Sequence, residues 1–564
     1  MTVSFRVFLS VLAVFLMSSM AFAQEAAASA TKLEGSFKVG PAIILIVMLS
    51  TFIIVGLFHR AKNTSDYWAA GRKISPAGSG MAIASNWMSA ASFLGMAAIM
   101  YGSGYHGLSY VVGWTGGYVL LLVLMAGQIR RYGKFTAADF IGDRYYSKGL
   151  RSFGAILAIL ISISYCVGQF AGIGLMFKWI LGISYPTAII MGSCVVLFYT
   201  LISGMLGATK NMQIQYVVII ISFLTPLFLL LNRYDYFAVV PQFGYGQVVS
   251  DVVNGLIPEV KNAVNSFGND FAILPSPEYA MPWDPATGQS AFQWIAICFA
   301  LMIGTAGLPH VIQRFYVVPR SRDARWSVVW GLFFICLLYW SAPIYSVFGK
   351  ILSANPDVGI LDKDAIVVYT AQLGNIFPLI VGLLAAGAIS AAFSTVSGLL
   401  MAGASAFSHD IYFNTFNPQA SQKTQMFMAR ASTIVMAIIV TLIALLKLGL
   451  IAQLVAVAFS LAGCTIFPLF LLGIWWSGSN RTGAWAGLMT GSAVSAVAIV
   501  YFIGAKYSWN LPGAAIISYY LNAWYFAWFG APLAIIANII GSKLSKDKTP
   551  DRIRIFLAKE VHGD

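Results

Sequence analysis

Formal charge is scarce in this chain. Only 10% of its 564 residues are Asp, Glu, Lys or Arg, whereas 59% are hydrophobic. Soluble domains carry roughly a quarter charged residues, so the composition excludes a soluble globular protein and implies a polytopic membrane protein. Cysteine is almost as rare. Cys166, Cys194, Cys298, Cys336 and Cys464 all fall inside apolar segments, which leaves no outer-loop pair for a disulfide and no cluster with zinc-ligand spacing. A Walker loop, a paired-carboxylate site and a nucleophile triad are also missing, so nothing points to an enzyme or to a bound cofactor.

What is present is organised by the membrane. Residues 1–23 read as a signal peptide, with Arg6, an apolar run and Ala21-Phe22-Ala23 as a small-x-small cleavage site; an uncleaved first helix is the other reading. Residues 24–40 then form an external segment. Apolar windows of about 20 residues count 13 spans. They lie near 41–58, 77–105, 108–128, 152–180, 186–206, 213–232, 291–313, 326–349, 372–408, 427–446, 450–474, 483–503 and 519–541. The transmembrane domain is therefore 41–541, and residues 542–564 form a cytoplasmic tail.

Of the 34 basic residues, 24 fall in segments this scheme places inside, which is the positive-inside pattern. The net charge of +14 is thus a topology signal and a contact for anionic lipid headgroups of the bilayer, not a nucleic-acid site. The tail is too short for a catalytic or sensor domain. No obligate protein partner is evident.

After the first span, the next ten divide into two sets of five, about 77–232 and 291–474. An odd set length makes the second set run through the membrane opposite to the first. Each set opens with an interrupted segment. The first reads Ser85-Asn86-Trp87-Met88-Ser89-Ala90-Ala91-Ser92 and the second Gly304-Thr305-Ala306-Gly307-Leu308-Pro309-His310. Backbone left unpaired at such depth is tolerated only where it is buried in protein or lines a cavity. Matched interruptions mark a transporter's binding site, although small-residue packing faces have the same composition.

None of the 20 Asp and Glu falls inside the assigned windows. Proton relays and cationic substrates call for such acids, so a neutral or anionic substrate fits better. Sodium needs several oxygens but no full charge, and backbone carbonyls with Ser/Thr hydroxyls supply them. Ser394 and Thr395 in the ninth window are adjacent hydroxyls of this kind; ordinary back-bonding to the preceding turn is the alternative. Ser89 and Ser92 point from the first break toward the expected cavity. Tyr165 and Gln169, one turn apart, line it or contact each other, and Gly304 with Thr305 frees amides that meet a carboxylate. His310 and His106 read as hydrogen-bonded structural residues. Asp139, Asp143, Arg144 and Asp410 read as an inner polar network that holds loops in place.

The stretches Asn86-Trp87-Met88-Ser89-Ala90-Ala91-Ser92-Phe93, Gly113-Trp114-Thr115-Gly116-Gly117-Tyr118, Gly133-Lys134-Phe135-Thr136-Ala137-Ala138-Asp139-Phe140, Gly304-Thr305-Ala306-Gly307-Leu308-Pro309-His310 and Ser408-His409-Asp410 resemble the sodium:solute symporter family. Within it the chain is most similar to the cation/acetate branch. The resemblance implies an all-α LeuT-type fold, a 5+5 inverted repeat with one preceding and two following helices. It implies a sodium site at Ser85, Met88, Ala391, Ser394 and Thr395, and import of a small monocarboxylate, acetate first, into a bacterial cytoplasm across the inner membrane. Pyruvate, propionate, proline or a sugar are the alternative solutes, and a transporter-like sensor is the alternative class. One departure stands out. Lys210-Asn211-Met212 occupies the place where the family often has Thr-Asp or a related polar pair, which puts a second ion step in doubt.

Overall fold

The computed structural model describes residues 37–59, 69–254, 277–283, 288–353 and 362–562. The expected signal peptide and most of the external lead-in lie outside these residues. The described chain is helical from end to end.

Helix α1 (Val39–Phe58) comes first, followed by α2 (Pro76–Trp87), α3 (Met96–Ser103), α4 (Leu108–Leu124), α5 (Ala126–Tyr132), α6 (Ala137–Arg144), α7 (Lys148–Leu181) and α8 (Tyr185–Arg233). Next come α9 (Ala291–Gly307), α10 (Pro309–Gln313), α11 (Ser321–Tyr339), α12 (Ala342–Leu352), α13 (Pro378–Ser405), α14 (Gln422–Ala444) and α15 (Ile451–Trp475). There follow α16 (Arg481–Lys506), α17 (Ala527–Leu544) and α18 (Asp551–Phe556). Local signals explain several boundaries. Ser75 caps α2 by accepting the Gly78 amide at 3.2 Å, with Pro76 in the first turn, where its missing N–H costs nothing. Thr136 and Asp139 form a reciprocal capping box at the start of α6.

Each of the 13 expected windows falls on one of these helices or on a broken pair. Among the described residues, ten continuous helical runs are long and apolar enough to cross a membrane, or eleven when the bent pair α9–α10 is one span. The two counts differ where helices are interrupted or joined. The run 91–124 passes as a single unit across a π-helical turn (Ala91–Gly95). Tyr185–Phe198 is a shorter apolar piece.

The sequence places a turn at Ser203-Gly204-Met205, between the windows that end at 206 and start at 213, and the chain turns there. Gly204 alone departs from helical geometry, at φ 58° and ψ −178°, a left-handed region that only glycine enters freely. One glycine therefore makes the whole turn. Lys210-Asn211-Met212 is helical, and Asn211 Nδ2 donates to the Phe52 carbonyl of α1 at 3.1 Å. The reading of the acids also changes. The ninth helix continues past its window as a π-helical segment (Ala406–Phe416), which brings Asp410 into that candidate span, and Asp323 opens another. Asp410 is completely buried.

Helix α13 is enclosed almost all round, mainly by α7, α8 and α1, as is expected of a uniformly apolar helix at the centre of a bundle. Helix α9 packs between α4 and α15, and α2 packs on α11. The exposed apolar side chains, among them Ile438 and Leu442 on α14 and Met489 and Val497 on α16, form the lipid-facing surface. At the far end the chain doubles back on the bundle. His562 Nε2 bonds the Ile474 carbonyl at 3.0 Å, Arg131 of α5 donates to the His562 carbonyl, and Phe556 packs edge-on against Tyr132.

Candidate functional site

The first broken helix unwinds at Met88, whose ψ of 71° leaves the helical region. The π-helical turn restarts the chain through a Phe93 N–H to Ser89 carbonyl bond of 2.8 Å. Gln169 of α7 holds the gap open: its Oε1 accepts the Ala90 amide at 2.8 Å. The Ser/Thr pair of α13 meets the end of α2. Ser394 Oγ donates to the Ser85 carbonyl at 2.6 Å and lies 2.8 Å from the Ala391 carbonyl. Thr395 Oγ1 donates to the Asn86 carbonyl at 2.8 Å and lies 3.1 Å from the same Ala391 carbonyl. Every one of these side chains is buried. Back-bonding and contact with the break, alternatives in the sequence, occur together.

Four of the five residues expected at one oxygen cluster, Ser85, Ala391, Ser394 and Thr395, thus share it. The second α2 carbonyl touching the pair belongs to Asn86, two residues before Met88. Helix α13 comes this close because Gly398 faces Asn86; a Cβ there would stand 2.2 Å from Asn86 Oδ1.

Beside the cluster lies an aromatic wall. Trp87 meets Tyr118 at 4.7 Å and Phe459 at 5.4 Å between ring centroids. Trp114 meets Phe459 at 5.8 Å and Tyr339 at 6.0 Å. Ser92 Oγ and the Tyr339 hydroxyl are 2.9 Å apart, which links the first broken helix to α11. Tyr165 packs on Phe459, and Ser89 Oγ lies beside the Tyr165 phenol without a hydrogen bond of ordinary geometry. Ser89, Ser92, Tyr165 and Gln169 are therefore gathered in one place. Trp114 Nε1 and Gln169 Nε2 are buried donors there with no partner, and Trp87 Nε1 lies beside the Tyr339 hydroxyl without a hydrogen bond of ordinary geometry.

Gly304 and Thr305 are committed elsewhere. The Thr305 hydroxyl donates to the Leu301 carbonyl at 2.7 Å, and its Cβ would lie 2.2 Å from a Cβ on Gly117. Gly304 and Gly307 let α9 close on the backbone of Phe459 and Ala462. In this conformation these residues pack α9 against α4 and α15, and the amides remain in the helix up to the 45° bend before Pro309.

His310 is also corrected: neither ring nitrogen has a hydrogen-bond partner, and the ring stands edge-on to Tyr165 at 5.3 Å. His106 Nδ1 does bond the Pro282 carbonyl, at 3.2 Å. Arg144 leaves the expected acidic network and donates to the carbonyls of Gly473 and Trp476 at 2.7 and 3.0 Å, tying α6 to the end of α15. Sequence reasoning missed Trp87, Trp114, Tyr118, Tyr339 and Phe459. Trp87 sits in the break itself and Trp114-Tyr118 in a Gly-rich motif, so those had a signal; Tyr339 and Phe459 lie in unmarked apolar runs.

A profile of the Sodium:solute symporter family matches residues 67–491, which takes in both broken helices and the hydroxyl pair. The chain belongs to the sodium:solute symporter family. It is a membrane transporter, not an enzyme. An uncharacterised symporter of Cupriavidus necator is 29% identical over 92% of this symporter and 93% of its own length. One of Bacillus subtilis is 30% identical over 90% and 94%. Among solved structures, the substrate-bound outward-open state of a Na+-coupled sialic acid symporter superposes with a TM-score of 0.70 at 18% identity, covering 91% of this chain and 99% of that one. That likeness shows a shared fold.

Proposed function

We propose that this symporter couples sodium to the import of a small monocarboxylate, acetate first, across a bacterial inner membrane. The observation that carries the reading is the pair of hydroxyls seated on the carbonyls of a broken helix, with no carboxylate side chain in the cluster. Each hydroxyl now donates to a carbonyl. An entering sodium replaces those protons as partner of the carbonyls and turns the hydroxyl lone pairs inward. Ser85, Ala391, Ser394 and Thr395 supply the cage in this proposal, with the Asn86 and Met88 carbonyls at its rim.

The neighbouring wall suits the substrate class. Two N–H donors without a partner, from Trp114 and Gln169, and the Ser89 hydroxyl are buried among these aromatic rings. A buried donor without a partner is costly, of order 1–3 kcal/mol, and a carboxylate satisfies several at once. In this reading the close packing of the rings favours a short acid. Sodium binding stabilises the outward-open state, the acid enters beside the break, and one set of helices rocks against the other. In this arrangement the 13 windows are 13 crossings, the N-terminus is external and the tail cytoplasmic.

The test is uptake of labelled acetate into proteoliposomes driven by a sodium jump, with pyruvate, propionate, proline and a sugar as competitors. Sodium-dependent accumulation blocked by short acids is the expected result. Accumulation of none of these solutes, or the same uptake with potassium in place of sodium, overturns the proposal.

A further inference from the structure

About 20 Å along the helix axis from Thr395, at 1.5 Å per residue, a second cluster lies where α13 runs into its π-helical end. Asp139 comes from the first turn of α6, and His409 and Asp410 from the segment Ala406–Phe416. One ligand atom from each lies within 4.8 Å of the other two. His409 Nε2 and Asp139 Oδ2 stand 3.3 Å apart.

The puzzle is Asp410. It is wholly buried, and neither of its carboxylate oxygens has a hydrogen-bond partner; the Thr136 hydroxyl is a polar neighbour outside ordinary hydrogen-bond geometry. A lone buried carboxylate costs several kcal/mol unless something neutralises it. The nearby cations are engaged elsewhere. Arg151 is 2.6 Å from Asp143 and 3.7 Å from the other oxygen of Asp139, and Lys134 also pairs with Asp143. Among the described residues no Lys or Arg nitrogen comes within ion-pair distance of Asp410.

We propose that Asp139, His409 and Asp410 bind a divalent transition-metal ion of the zinc or manganese kind, which clamps the end of α13 to α6. One imidazole with two carboxylates is a donor set for such ions. Tetrahedral zinc with bonds of 2.0–2.2 Å places its ligands about 3.4 Å apart, close to the present His409–Asp139 separation. The ligands are supported from behind, as metal ligands commonly are. Asp139 Oδ2 accepts the Phe135 and Thr136 amides at 3.3 Å each. The His409 ring is held by Phe135 and Phe413, and side chains of Asn414 and Thr415 bond the carbonyls of His409 and Asp410. A dication there supplies the charge that Asp410 lacks.

The experiment uses the purified full-length protein stripped with a chelator and titrated with zinc chloride, then separately with manganese chloride. Calorimetry and the metal content after gel filtration are the readouts, so the result does not depend on which solute is carried. The expected result is saturable binding of one ion per chain, weakened at least about tenfold in both Asp410→Asn and His409→Gln. Asp410→Asn removes an unpaired buried charge, so its metal-free melting temperature should equal or exceed that of the parent. No saturable binding of either ion overturns the proposal, as does binding of unchanged affinity in whichever of the two variants folds.

Discussion

Replacing both hydroxyls of the Ser394–Thr395 pair tests the coupling mechanism most directly. Each hydroxyl has two jobs, and they oppose each other. In the proposed cage it is a sodium ligand, and a contact between a full charge and a polar group is worth about 1.5–3 kcal/mol net. Without sodium it satisfies a buried carbonyl, Ser85 for Ser394 and Asn86 for Thr395, worth about 0.5–1.5 kcal/mol. Alanine removes both, so the loss of ion affinity per site is the difference, about 1–2 kcal/mol. At 1.4 kcal/mol per decade this raises the sodium concentration for half-maximal uptake by roughly 5- to 30-fold per substitution. The two effects should not simply add, because both hydroxyls share the Ala391 carbonyl. The assay is the initial rate of labelled acetate uptake against external sodium in proteoliposomes, with Thr395→Ser as the variant that keeps its oxygen and its half-saturation. If the double alanine variant retained a half-saturation within twofold of the parent, the proposed cage would be wrong.

Four further outcomes follow from the same structure. Gly304→Ala should lower the melting temperature by the equivalent of about 1–3 kcal/mol, because the new Cβ would lie 2.4 Å from the Phe459 carbonyl oxygen; thermal melts in detergent read this. Gln169→Leu leaves the Ala90 amide unsatisfied, a loss of about 1–3 kcal/mol, and should lower uptake at sub-saturating acetate more than Gly304→Ala does. Burial, reinforced by Asp362, pushes the Asp364 carboxyl up from 3.8 to about 8, so between those values the folded protein holds a proton that the unfolded chain has lost. Stability therefore falls as pH rises through that window, at most about 1.4 kcal/mol per unit; melts from pH 5 to 8 should show this slope in the parent and a flatter one in Asp364→Asn. One sodium with one acetate carries no net charge, so uptake should ignore an imposed potential, whereas each extra sodium would add about 2.3 kcal/mol per 100 mV; a valinomycin-set potential that changes accumulation refutes one-to-one coupling.

The parts of the site legible in the sequence are those where backbone must misbehave. Ser85 to Ser92 and Gly304 to His310 advertise their breaks with small residues and proline, and Ser394–Thr395 stands out in an apolar run. What stayed hidden depends on partners far away in the chain. Tyr339 reaches Ser92 only because α11 packs on α2, and Phe459 touches Trp87 across several hundred residues of sequence. Thr305 looked free because its neighbour Gly117, which makes room for it, is unreadable as a contact from sequence. The ends of the spans were hidden in the same way. Gly204 turns the chain with no polar loop to announce it, and the polar run Ser408-His409-Asp410 looks like a helix end when its burial partner, Asp139, sits on another helix.

The final residues are better regarded as a brace than as a loose end. His562 is wedged between the close of α15 and Arg131, and α15 also carries Phe459, a stone in the wall around Trp87. Proteolytic trimming beyond Lys543 would slacken that support from more than one side, so a sample nicked there should sort substrates less sharply while its oxygen cage stayed intact.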